Sequence, residues 1–92
     1  MKVKTPQSGQ VALSLQGRDK GELYVIAEVS GGKALVVDGR KRKLENPKTK
    51  NIKHLRLLPV NISQEGIVRD KSFNARVAHF LKMTAGKVKS EE

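Results

Sequence analysis

The sequence predicts a mostly β fold, a small curled barrel of four to five antiparallel strands with one C-terminal α-helix packed on it. Three observations point there. Short apolar stretches recur between Gln10 and Leu58, punctuated by glycine-containing turns. After Ser72 the apolar spacing lengthens from about two residues to that of a helix. The chain has 92 residues, enough for one small domain. A domain of that size buries only about 60–65% of its unfolded surface, so its core must be compact.

Residues 1–9 hold Pro6, Ser8 and Gly9 around a single sizeable apolar side chain, Val3, and are expected to be a flexible lead-in to a barrel at 10–63. The first strand is expected over Gln10–Gln16, where Val11, Leu13 and Leu15 alternate with Gln10, Ala12, Ser14 and Gln16 and set one face inward. The second, Glu22–Ser30, contains the run Leu23–Ala27, apolar at every position and therefore suited to burial on both faces. Gly17 and Gly21 bracket Arg18, Asp19 and Lys20 between these strands, as a tight connection requires. Gly31-Gly32 turns the chain into a third strand, Lys33–Asp38, with Ala34 and Val36 on one face and Leu35 and Val37 on the other.

Asp38-Gly39 signals another turn, and the stretch from Arg40 to Lys50 is too polar to bury. Within it Leu44 is expected to plug the barrel edge, and Pro47 opposes a regular ladder. A fourth strand is expected over Asn51–Leu58, with His54 and Arg56 on the same face, stopped by Pro59 and followed by a short strand or turn near Val60–Ser63. Residues 64–86 form the helical segment. Phe73, Val77, Phe80 and Leu81 share one helical face, Asp70 or Ser72 caps its start and Gly86 ends it. A helix of about 12–14 residues is marginal alone, so it must dock on the apolar face that the second and third strands leave over, led in by Ile67 and Val68. Residues 87–92 are expected to be a disordered tail. Short strands with tight turns in under 60 residues suggest an SH3-like barrel.

The net charge is +10, from 19 Lys and Arg against 9 Asp and Glu, and favours an anionic partner. It is concentrated. Arg40, Lys41, Arg42, Lys43, Lys48, Lys50, Lys53 and Arg56 face only Glu45 between residues 40 and 56, a net +7 in seventeen residues. Such a segment can lay cations along a phosphate backbone, releasing counterions at each contact. His54 can stack on a base or donate to a phosphate. The competing reading of the segment is a solvated basic loop that merely aids solubility.

There is no cysteine, which excludes disulfides and thiolate zinc sites, and two histidines are too few for a metal centre. Phosphate-loop, Gly-x-Ser-x-Gly and His-Glu-x-x-His patterns are absent, and the carboxylates lack a partnering histidine, so neither enzyme activity nor a cofactor is expected. No apolar run approaches the ~20 residues of a membrane span, and the start, Met1–Pro6, lacks a signal-peptide core. A cytoplasmic, monomeric protein is the expectation. Tyr24, on a doubly apolar strand, reads as core; Phe73 and Phe80 belong to the helix seam, and His79 to the surface or its boundary.

The strand, the turn Gly17–Gly21 (GRDKG) and the following hydrophobic strand resemble the KOW motif of several ribosomal proteins and transcription elongation factors. The resemblance continues through Ala34–Gly39 (ALVVDG), the basic run and Asn51–Leu57 (NIKHLRL), about half the chain. In this order the segments are similar to bacterial KOW-containing RNA-binding proteins related to large-subunit ribosomal proteins of archaea and eukaryotes. The resemblance implies the same SH3-like barrel, association with ribosomal RNA or ribosomal proteins, and RNA contact by Arg18 and Lys20 at the hairpin tip. Asp19 reads instead as turn chemistry, its carboxylate bonding nearby backbone amides. An RNA-binding role in translation is the expectation, carried by Arg18, Lys20, Arg40, Lys41, Arg42, Lys43, Lys48, Lys50, Lys53, His54 and Arg56. Two alternatives are a KOW-type protein-interaction module docking on ribosome or RNA polymerase, and a nonspecific DNA binder.

Overall fold

The computed structural model describes residues 6–62 and 72–88. Five antiparallel strands form one sheet: β1 (Gln10–Ser14), β2 (Leu23–Ser30), β3 (Lys33–Val37), β4 (Lys48–Asn51) and β5 (Leu55–Asn61), in the order β4-β3-β2-β1-β5. A 3-10 turn over Ile52–His54 joins β4 to β5, and one helix, α1 (Phe73–Val88), follows. The sheet curls into the small barrel expected, with the helix on its outer face. The predicted caps at Asp70 and the lead-in residues Ile67 and Val68 lie outside the described residues, as do Ser63, residues 1–5 and the last four residues of the predicted tail.

The register explains why β2 is apolar at every position. Val25 sits between Val11 on β1 and Val37 on β3, and these three join Ala27, Leu58 and Ile62 beneath Phe73, Val77 and Leu81 of α1. On the other side of the sheet Ala12, Tyr24, Ile26, Ala34, Val36 and Leu55 fill the barrel interior. Each face thus takes alternate residues of the same strand. Burying Phe73, Val77 and Leu81 contributes about 1.5–3 kcal/mol apiece, which holds a helix that would barely form alone. The helix passes through Gly86, the expected stop, and ends at Val88. Leu44 packs on this helix-covered cluster rather than plugging the barrel edge.

Several expectations need correction. In β1 the alternation does not leave one wet face: Val11 points to the helix while Ala12 and Ser14 are buried on the other side, and Leu15 is exposed. Lys48–Lys50, read as the end of a polar loop, form with Asn51 a strand paired along β3, with Lys48 opposite Val36 and Asn51 opposite Lys33. The 3-10 turn interrupts the expected Asn51–Leu58 strand, its Ile52 N–H donating to the Gly32 carbonyl. Pro59 does not stop β5. It lies in a bulge, where the register passes from Ala12–Leu57 to Gln10–Asn61, on a strand at the sheet edge, so its missing N–H breaks no ladder. The end of the expected lead-in is built into the fold: Gly9 donates to the Ile26 carbonyl and its own carbonyl accepts from Ile62 N–H.

Candidate nucleic-acid interface

The hairpin tip between β1 and β2 is fixed from inside. Gly17 and Gly21, at φ 97° and 93°, fold the chain so that Lys20 N–H reaches the Gly17 carbonyl and Glu22 N–H the Asp19 carbonyl. The Asp19 carboxylate then turns inward, away from the backbone amides it was expected to bond. It accepts from Ser14 Oγ at 2.9 Å, Tyr24 OH at 2.7 Å and Lys50 Nζ at 3.1 Å, and pairs with Lys48 Nζ at 3.1 Å. Burial by itself would raise the carboxyl pKa. The donors, Tyr24 foremost and then Lys50, Ser14 and Lys48, outweigh it and hold Asp19 well below the usual carboxylate range. Burial, reinforced by the hydrogen bond to Asp19, pushes the Tyr24 phenol well above its ordinary value. With Asp19 anchored beneath, Arg18 and Lys20 stand in solvent on either side of it.

The basic loop after β3 is equally constrained. Asp38 Oδ1 accepts from the N–H groups of Arg40 and Arg42 at 2.8 and 2.9 Å, and the Arg42 carbonyl accepts from Asp38 and Gly39. Asn74 on α1 clamps the loop's far side, its side chain accepting from Leu44 N–H at 2.8 Å and donating to Glu45 Oε1 at 3.0 Å. That bond and its own backbone lower the pKa of the exposed Glu45 carboxyl, its backbone first. At Gly39, φ is +79° and the backbone runs so close to Asn74 and Ala78 that any Cβ would strike the helix backbone. The side chains of Arg40, Lys41 and Lys43 are exposed.

The hairpin tip and this loop lie at the same end of the sheet, because the start of β2 pairs with the end of β3. With α1 they enclose an open groove of about 820 Å³. Arg18, Arg40, Lys41, Arg42, Lys48 and Lys82 line it, against the carboxylates of Asp19, Glu22 and Asp38. Leu23 and Leu81 contribute to its apolar wall. Six cations against three carboxylates leave the lining net positive, and with Lys48 paired to Asp19 the cations turned to solvent are the arginines, Lys41 and Lys82. Lys82 was not anticipated; its neighbour Leu81 marks the docked face of the helix, and the next residue necessarily falls at the groove's margin.

The remaining candidates are placed elsewhere. Lys50 is 8% exposed, its ammonium inside the barrel mouth on Asp19 and on the Gln16 carbonyl at 2.9 Å, and it offers nothing to a ligand. Lys53 is exposed and His54 half-buried in the 3-10 turn, which leans on Gly32 at the opposite end of β3 from the basic loop. Arg56 is exposed at the start of β5, and it does not share a strand with His54 as the expected face required. Lys20 and Lys43 flank the groove without lining it. The basic segment is therefore one run in sequence but not one surface: Lys50 is buried, and Arg56, opposite Leu13 of the groove wall, does not itself line the groove. Among the described residues no cluster of His, Asp and Glu converges as a metal site, and no helix is long and apolar enough to cross a membrane. Comparison with protein-family models and with curated proteins returns no match to this chain.

Proposed function

We propose that this protein binds structured RNA, ribosomal RNA foremost, through the cationic groove between its hairpin tip and its basic loop. One observation carries the reading: Arg18 and the Arg40–Arg42 run, far apart in sequence, line the same groove and are each held by an internally bonded turn. Both turns are ordered by protein contacts, so little entropy need be lost when phosphates arrive. Arginine can fork onto a phosphate or a guanine edge, while the lysines act as point charges. The KOW-like order of segments supports the same reading and adds a role in translation.

Neutralising about six phosphates would make binding about 10³-fold weaker for a fourfold rise in salt. The test is RNA retention by a variant carrying Arg40→Glu, Lys41→Glu and Arg42→Glu. Loss of retention with the fold intact is expected. Retained RNA binding, or capture of ribosomal proteins unaffected by the reversal, would move the function to a protein-docking surface. Equal competition by DNA of the same length would make the binding nonspecific.

A further inference from the structure

We infer that the outward face of α1 is a second phosphate-contacting surface, so that the protein straddles the two backbones of a duplex RNA. The inference rests on the RNA-binding reading and adds to it the form of the RNA and a contact surface outside the loop and hairpin. The helix Phe73–Val88 contains no Asp or Glu, and its exposed side chains include Arg76, His79 and Lys82. At 1.5 Å per residue these three span about 9 Å along the axis, a row of N–H donors one backbone strand can follow. None of the carboxylates among the described residues pairs with Arg76 or Lys82. Lys82 also lines the groove, so this row begins where the loop's cations end.

The charge pattern alone would suit any polyanion, and two further observations select among them. A cationic amphipathic helix that enters a lipid surface needs its apolar face available. Here Phe73, Val77 and Leu81 are committed to the core, and Met83 is the one large apolar side chain exposed on the described part of the helix. A single strand would instead be held by stacking on exposed aromatics. Tyr24 and Phe73 are 4% and 5% exposed, and Phe80 packs against the core cluster. What is left is recognition of paired backbones by charge, a mode by which double-stranded RNA is bound.

The experiment measures binding of the full chain to an RNA hairpin of about 20 base pairs and to an unpaired strand of equal length, across a salt series. Arg76→Gln, outside the groove, should lower the log–log salt slope on the duplex by about 0.7–0.9, and adding Lys82→Gln, which also lines the groove, should bring the fall to about 1.4–1.8. Affinity at 0.1 M salt should fall ten- to a hundredfold, with an unchanged circular dichroism spectrum. The unpaired strand should bind less tightly and be affected less. A slope equal to that of the unsubstituted protein, while the Arg40–Arg42 reversal lowers it, overturns the helix contact and leaves the groove reading standing. Equal losses on duplex and single strand overturn the duplex assignment. If the unsubstituted protein binds neither RNA, both readings fall.

Discussion

Lys50 Nζ lies 3.1 Å from Asp19 Oδ1, across 31 residues of sequence, with both side chains nearly out of water. This pair joins β4 to the tip of the β1–β2 hairpin and so fixes one wall of the groove. Removing one member of a buried ion pair leaves the other charge uncompensated, at a cost of about 3–5 kcal/mol. Asp19→Ala should reach that range by urea denaturation, since it strands Lys50, Tyr24 and Ser14 together. Lys50→Met should cost less, on the order of 1–3 kcal/mol, because Tyr24, Ser14 and Lys48 still bond the carboxylate. A larger loss for Lys50→Met than for Asp19→Ala would contradict this ranking.

The same carboxylate sets an acid limit. Its folded pKa lies well below the ordinary 3.8, so its contribution to stability is complete above that value and drains away as pH falls toward the folded one. Tyr24 works in the opposite sense. Its folded pKa is raised above 10.0, so stability is intact below pH 10 and is lost as pH climbs beyond it. Chemical denaturation between pH 2 and 5 should show a decline in the native protein that Asp19→Asn flattens. An equally steep decline in that variant would assign the acid sensitivity to another carboxylate.

Gly39 and Gly31 make a matched comparison. Both have positive φ, +79° and +62°, yet a Cβ at Gly31 meets open space while one at Gly39 meets α1. Gly31→Ala should therefore cost about 1–2 kcal/mol, the left-handed penalty alone. Gly39→Ala adds a collision with helix backbone and should cost more than about 3 kcal/mol. It should also weaken RNA binding, since the loop can no longer seat beside Asn74. Equal losses in thermal unfolding would mean that the loop moves aside freely.

Charge substitutions should sort by place rather than by sequence neighbourhood. Arg18→Gln and Arg40→Gln, both on the groove, should each reduce the RNA salt slope by about 0.7–0.9. Lys53→Gln, at the other end of β3, should leave the slope unchanged. A uniform effect from all three would indicate a diffuse cation cloud.

How much of this was legible in the sequence follows from what each residue's environment depends on. The double-sided burial of Leu23–Ala27 and the helical spacing of Phe73, Val77 and Leu81 are local patterns, and they place the helix and the strand that feeds both core clusters. β4 was hidden because its lysine-rich composition matches a loop; Lys50 enters the interior only because Asp19 waits there. Pro59 misled for a related reason, since whether its missing N–H matters depends on a bulge and an edge that no local pattern reveals. The site was legible as an inventory of cations, not as a surface. Arg18 and Arg40–Arg42 meet through strand pairing, Lys50 withdraws, and Lys82 joins from the helix.

The groove is tested most directly by titrating isotopically labelled protein with an RNA duplex and following backbone amide shifts residue by residue. Perturbations are expected to gather at residues 17–22, 38–43 and 76–85 and to spare the Gly31-Gly32 turn and the 3-10 turn at Ile52–His54. Perturbations centred on those two turns, with the groove residues unmoved, would contradict the groove reading.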